Sequence, residues 1–115
     1  MEIVIATNAD IDSILNLQTQ IYRVNKVADN ARSALEKQMS DDSCEVLVAK
    51  EQGKVVATTT IYYIEVAVRA RPYALLEGLV VDESKRGHGI GTALFEKCME
   101  IAQNKNCYKM IFTSG

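Results

Sequence analysis

Residues 75–92 read LLEGLVVDESKRGHGIGT. The stretch opens as an apolar strand and crosses a short polar loop. It then places glycine at 87, 89 and 91 where an amphipathic helix begins. A helix N-terminus carries about half a positive charge, and N–H donors left bare by glycine can wrap an anion there. Spacing narrows the kind of anion. A Walker A loop needs a glycine, four residues and then Gly-Lys-Ser/Thr, a run this chain lacks. A dinucleotide-binding G-x-G-x-x-G starting at Gly87 would need glycine at 92, where Thr92 stands. That fingerprint also sits close to its strand, whereas Asp82-Glu83-Ser84-Lys85 intervenes here.

Outward from the loop, periodicity sets the other elements. Residues 2–6 form a first strand (β1). Thr7 or Asn8 caps a helix whose Ile11, Ile14, Leu15, Leu17, Ile21 and Tyr22 keep a helical period (α1), with Asp10 and Asp12 in its first turn. Residues 29–39 form a second helix (α2) with a thin apolar stripe of Ala31, Leu35 and Met39. Residues 44–50 (β2) and 54–66 (β3) read as a hairpin turning at Glu51-Gln52-Gly53. Arg69-Ala70-Arg71-Pro72 reads as a loop, with 73–81 the fourth strand (β4). Residues 91–104 form a helix (α3) with Leu94, Phe95, Cys98, Ile101 and Ala102 on one face, and 108–113 a last strand (β5). The order β1-α1-α2-β2-β3-β4-α3-β5 makes a mixed α/β sheet whose last two strands are parallel. A ligand then docks beyond the carboxyl ends of those strands, where the glycines lie.

Composition bounds the function. A chain of 115 residues, 48% apolar, suits one compact domain spanning 1–115. A net charge of −2 carries no footprint for nucleic acid or anionic membrane. No apolar run reaches transmembrane length and no signal-peptide layout is present, so a cytoplasmic protein is expected. Cys44, Cys98 and Cys107 make no C-x-x-C pair, which predicts reduced thiols. One histidine and no cysteine cluster predict no metal.

Arg86-Gly87-His88-Gly89-Ile90-Gly91, matching Arg/Gln-x-x-Gly-x-Gly/Ala after a strand ending near Val81, resembles motif A of the GNAT superfamily of acetyl-CoA-dependent N-acetyltransferases. The start of the chain, the hairpin and the last strand also look like that family's, so the likeness covers nearly the whole chain. Only motif A is specific. The resemblance implies that Arg86, Gly87, His88, Gly89, Ile90, Gly91 and Thr92 supply backbone N–H groups to the coenzyme A pyrophosphate. Hydrogen bonds to a charged group contribute about 1.5–3 kcal/mol each. It further implies that β4 splays from β5, freeing backbone groups of Leu79, Val80 and Val81 for the pantetheine arm and for the thioester oxyanion. His88, between glycines and without an orienting partner, reads as exposed rather than catalytic.

Acetyl transfer to an amine needs a base. An alkylammonium is only about one part in two thousand neutral at pH 7. Glu77, an acid in an apolar strand nine positions before Arg86, is the candidate. A carboxylate on a solvated face explains it equally well. Tyr22 and α2 are expected to border the acceptor pocket. Tyr62, Tyr63, Tyr73 and Tyr108 read as packing residues.

The family continues with a fourth helix and two strands, including a tyrosine that protonates the departing thiolate, so the chain is expected to be C-terminally truncated. Residues 110–113 then form an apolar edge that a homodimer would cover. The leading expectation is direct N-acetyl transfer from acetyl-CoA to an amine acceptor. Alternatives are a non-catalytic acyl-CoA-binding or interaction domain and, more weakly, a generic nucleotide-phosphate binder. The sequence does not choose the acceptor.

Overall fold

A computed structural model describes residues 1–112. Five strands form one sheet in the order β1-β2-β3-β4-β5. They span Glu2–Ile5, Cys44–Glu51, Lys54–Val66, Arg71–Val81 and Met110–Phe112. The first four run antiparallel to their neighbours, and β4 and β5 are parallel, as the strand–helix–strand pattern predicts. The predicted element order stands throughout.

The sheet is covered on both faces, and its strands alternate accordingly. On β2, Val46 and Val48 join Ile11, Ile14 and Leu35 in the core beneath α1 (Ile11–Tyr22) and α2 (Ala31–Met39). Leu47 and Ala49 point the other way, into a core with Ile61, Leu76, Leu94 and Cys98 beneath α3 (Ile90–Asn104). A strand buried on both faces has no polar side, which explains the continuous apolar run 46–49. Gln52 and Gly53 both take positive φ, +52° and +79°, the two-residue turn that suits a twisted hairpin. No helix among the described residues is long and apolar enough to cross a membrane.

Several boundaries differ from expectation. Pro72 belongs to β4 rather than to a loop. A proline is tolerated there because it is second in its strand, and its carbonyl accepts from Tyr108 N–H at 3.1 Å. Ala70, at φ +53°, makes the turn into β4. The helix expected from residue 29 begins at Ala31, and the last strand begins at Met110, leaving Cys107 and Tyr108 in the approach. Thr113, placed in that strand by the sequence, lies outside the described residues.

Asp10 precedes α1 instead of sitting in its first turn. It closes a 3-10 turn, Asn8–Asp10, where its Oδ2 accepts the Thr7 N–H at 2.9 Å. Its Oδ1 lies 3.0 Å from Lys50 Nζ. Burial alone would raise this carboxyl's pKa. The Thr7 amide and the Lys50 ammonium together outweigh it, and the pKa is lowered.

Candidate active site

The candidate site is built on the second half of β4, where a single irregularity controls both faces. Thr58 pairs with Val80 and Thr60 with Glu77, so Gly78 and Leu79 together oppose Thr59 alone. That is a β-bulge, and the side-chain alternation shifts by one across it. Before it, Ala74 and Leu76 face α3; after it, Leu79 and Val81 do. Gly78 carries φ +65°, and a Cβ there would lie 3.1 Å from the Tyr22 hydroxyl oxygen. The backbone angle favours glycine, and the close approach would make Tyr22 shift for any larger residue. The Thr59 hydroxyl donates to the Glu77 carbonyl at 3.1 Å, tying down the bulged segment.

Strand alternation before the bulge leaves Glu77 facing away from α3, half-buried in an open groove of about 490 Å3. Tyr22, Ser43, Tyr62, Tyr63, Ile64 and Leu75 also line it. The Tyr22 hydroxyl lies 3.5 Å from Glu77 Oε1, at the outer limit of hydrogen bonding. Burial first, then the charge of Glu77, raises the Tyr22 phenol pKa, so the ring keeps its proton at neutral pH. Gln38 Nε2 donates to the Tyr62 hydroxyl at 2.6 Å, fixing that ring from α2. Tyr22 of α1 thus lines the groove beside the acid, and α2 reaches it only through Gln38 on Tyr62. Tyr62 belongs to the groove and not to packing alone.

Backbone groups, by contrast, make the far end of β4. Asp82 N–H donates to Val56 C=O at 2.8 Å. By the two-residue alternation of a strand, Val80 also turns its amide and carbonyl toward β3, opposite Thr58. Leu79 and Val81 therefore present theirs to the other edge. β5 pairs with β4 only at Ala74, Leu75 and Leu76, so within the described residues that edge is uncovered beyond Leu76. Of the three positions singled out from the sequence, Val80 falls away as a backbone donor. Its role is packing, with 4% of its surface exposed.

The glycine loop follows. Gly87 and Gly89 take φ +84° and +80°, and a Cβ on either would meet nothing within 4 Å, so the space before both is open. Gly89 is the N-cap of α3, with no side-chain cap; the Ala93 N–H donates to Gly89 C=O at 3.1 Å. An α-helix leaves the N–H groups of its first turn without internal partners, here Ile90, Gly91 and Thr92. These donors, converging beside left-handed glycines, form the kind of concavity that holds an anion. Ile90 is itself 3% exposed, so only its backbone can serve. Gly91 differs from its neighbours. It has no positive φ, and a Cβ would make ordinary contacts, 3.5 Å to Val81 and 3.8 Å to Leu79. His88 is exposed.

Arg86 has a role the sequence did not show. Its Nε donates to the Val81 carbonyl at 3.1 Å, folding the loop back on the strand end. Gln20 of α1 adds a second tie, donating to Asp82 Oδ1 at 3.0 Å and accepting the Glu83 amide at 3.2 Å. A lone glycine in an apolar strand was a signal for the bulge. Nothing local marked Gln20, which lies 62 residues from Asp82.

Burial raises the pKa of Cys98 to about 12 and, with Asp41 and Glu45, that of Cys44 to about 11. Both thiols stay protonated and are unsuited to nucleophilic attack.

The acetyltransferase (GNAT) family model matches residues 11–114, most of the chain. The chain belongs to the GNAT acetyltransferase family. Streptothricin acetyltransferase A of Bacillus subtilis is 35% identical over 86 residues, which cover 67% of this chain and 48% of that protein. Glucosamine 6-phosphate N-acetyltransferase of Trypanosoma brucei brucei is 36% identical over 64 residues, 55% of this chain and 44% of that protein. The chain thus spans about half the length of these curated relatives. A solved structure of a proposed acetyltransferase from Agrobacterium tumefaciens str. C58 superposes with a TM-score of 0.90 at 28% identity, covering all of this chain and 82% of the other. The GNAT fold expected from motif A is therefore the fold observed.

Proposed function

We propose that this GNAT domain transfers an acetyl group directly from acetyl-CoA to an amine. One observation carries the proposal. A single strand, β4, delivers both an uncapped helix start flanked by positive-φ glycines and a carboxylate in an open groove. The amides from Gly87 to Thr92 would hold the pyrophosphate, and the Leu79 backbone and Val81 amide, unpaired with β5 among the described residues, would take the pantetheine arm. Acetyl-CoA, when bound, supplies an acetyl group activated as a thioester.

The chain's own residues serve the attack; the C–S bond then breaks and coenzyme A leaves as the thiol, its proton coming from the attacking nitrogen by way of solvent or the base. Glu77 removes a proton from the ammonium, directly or through water, so that the amine can attack. Tyr22 stands beside that carboxylate, and a β4 amide beyond the bulge donates to the developing oxyanion. Relatives are named for an aminosugar phosphate, streptothricin and, in Scomber australasicus, histidine, which supports an amine acceptor without choosing one. A cytoplasmic setting and a homodimer belong to the same proposal. Ile111 and Phe112 of β5, 40% and 62% exposed, are the surface a second copy would cover. A sedimentation profile that stays monomeric at micromolar concentration removes the dimer.

Thermal unfolding and thiol release test the function together. Acetyl-CoA is expected to raise the melting temperature where ATP and NAD do not, and an amine panel is expected to release free coenzyme A. Protection without thiol release on any amine supports a non-catalytic binder. Protection by ATP or NAD alone overturns the coenzyme A assignment.

A further inference from the structure

The groove around Glu77 also constrains the acceptor, on the reading that it is the acceptor site. Its lining is aromatic, aliphatic and hydroxylic, with one formal charge, the Glu77 carboxylate, and no Lys, Arg or His. Lys26 lines an adjoining hollow that shares Tyr22 with the groove. Lys105 lies over the Tyr63 ring. Tyr63 is also part of the groove lining, and it packs against the core beneath α3. An ammonium entering the groove exchanges part of its hydration for a carboxylate and the faces of Tyr22 and Tyr62. Ile64 and Leu75 offer the attached carbon skeleton an apolar wall. A phosphate or carboxylate carried in beside the amine meets Glu77 as a like charge, in a groove whose lining holds no cationic side chain.

We propose that this groove selects cationic amines that carry no phosphate or carboxylate near the reacting nitrogen. Discrimination then comes from repulsion as much as from attraction. An anionic group at the amine's far end, reaching open solvent, escapes the penalty.

Two matched pairs test the proposal, glucosamine against glucosamine 6-phosphate and histamine against histidine. Binding is read by isothermal titration into the coenzyme A complex and turnover by thiol release. The member without the anion is expected to bind about tenfold tighter or more and to hold the same advantage in kcat/KM. Ser43→Lys, which brings a cation to the rim, is expected to narrow the gap in both pairs. Equal or tighter binding of the anionic members, or no binding by either member of both pairs, overturns the proposal. A phosphate preference that vanishes in Lys26→Ala also overturns it, by assigning recognition to the adjoining hollow. If coenzyme A itself does not bind, the acetyltransferase reading fails. The amine preference is then read on the protein alone.

Discussion

The two ends of the bulge on β4 work by different chemistry. Toward the helix, the glycine loop offers backbone amides, and residue types matter because glycine takes φ near +80° without strain. Toward the groove, the acid, two tyrosines and an aliphatic wall come from α1, β3 and β4, and the backbone only holds them apart. A backbone site writes itself into a short run of sequence. A side-chain site is scattered, and only folding assembles it.

Substitutions can separate the two halves. Glu77→Gln keeps the shape of the side chain and removes the base; kcat is expected to fall by about a hundredfold or more while the Kd for acetyl-CoA holds. A variant with full kcat removes Glu77 from the mechanism, and one with weakened coenzyme A binding merges the two regions. Gly89→Val acts at the other end. It strains a left-handed position and pushes a branched side chain into the space before the amides. Acetyl-CoA affinity is expected to drop about tenfold to a hundredfold, the loss of one or two charged hydrogen bonds, with acceptor KM little changed.

Gly78→Ala probes the hinge between them. A positive φ and a Cβ 3.1 Å from the Tyr22 oxygen make strain unavoidable, so both regions are expected to suffer, with about 1–2 kcal/mol lost in unfolding experiments. Tyr22→Phe is expected to raise acceptor KM several-fold and leave acetyl-CoA binding alone. Because burial and then Glu77 hold the Tyr22 phenol above its ordinary value, the wild-type rate is expected to show no Tyr22 ionisation between pH 6 and 9. A Tyr22→Phe profile that loses a step in that window contradicts this. The smallest effect belongs to Gly91→Ala. Its Cβ meets only ordinary contacts, so coenzyme A affinity and stability are expected to change by less than about 1 kcal/mol.

The contrast also explains how far the sequence could be read. Gly87 and Gly89 were legible because a residue type, a helix start and an exposed loop coincide within a few positions. The two-faced core was legible from the apolar run 46–49 and from the α3 face of Leu94, Cys98 and Ala102. Gly78 carried a usable signal, an isolated glycine in an apolar strand, but its consequence depends on pairing with Thr58 and Thr60. That pairing decides that Val80 turns toward β3 while Leu79 and Val81 do not. Asp10 reads as a helix-dipole residue locally, yet its partner Lys50 arrives from β2. Tyr22 meets Glu77 across 55 residues, and no periodicity encodes that contact. Helix and strand ends moved by one or two residues where caps and turns, and not hydrophobic period, decide them.

An amide-resolved NMR titration with coenzyme A tests the central claim most directly. Binding is expected to shift the amides of Gly87, Gly89, Gly91 and Thr92 most strongly, with smaller shifts at Leu79 and Val81 and little change at Ser43 or Tyr62. Saturable binding that leaves the loop amides still and moves the groove instead would contradict the division of labour along β4.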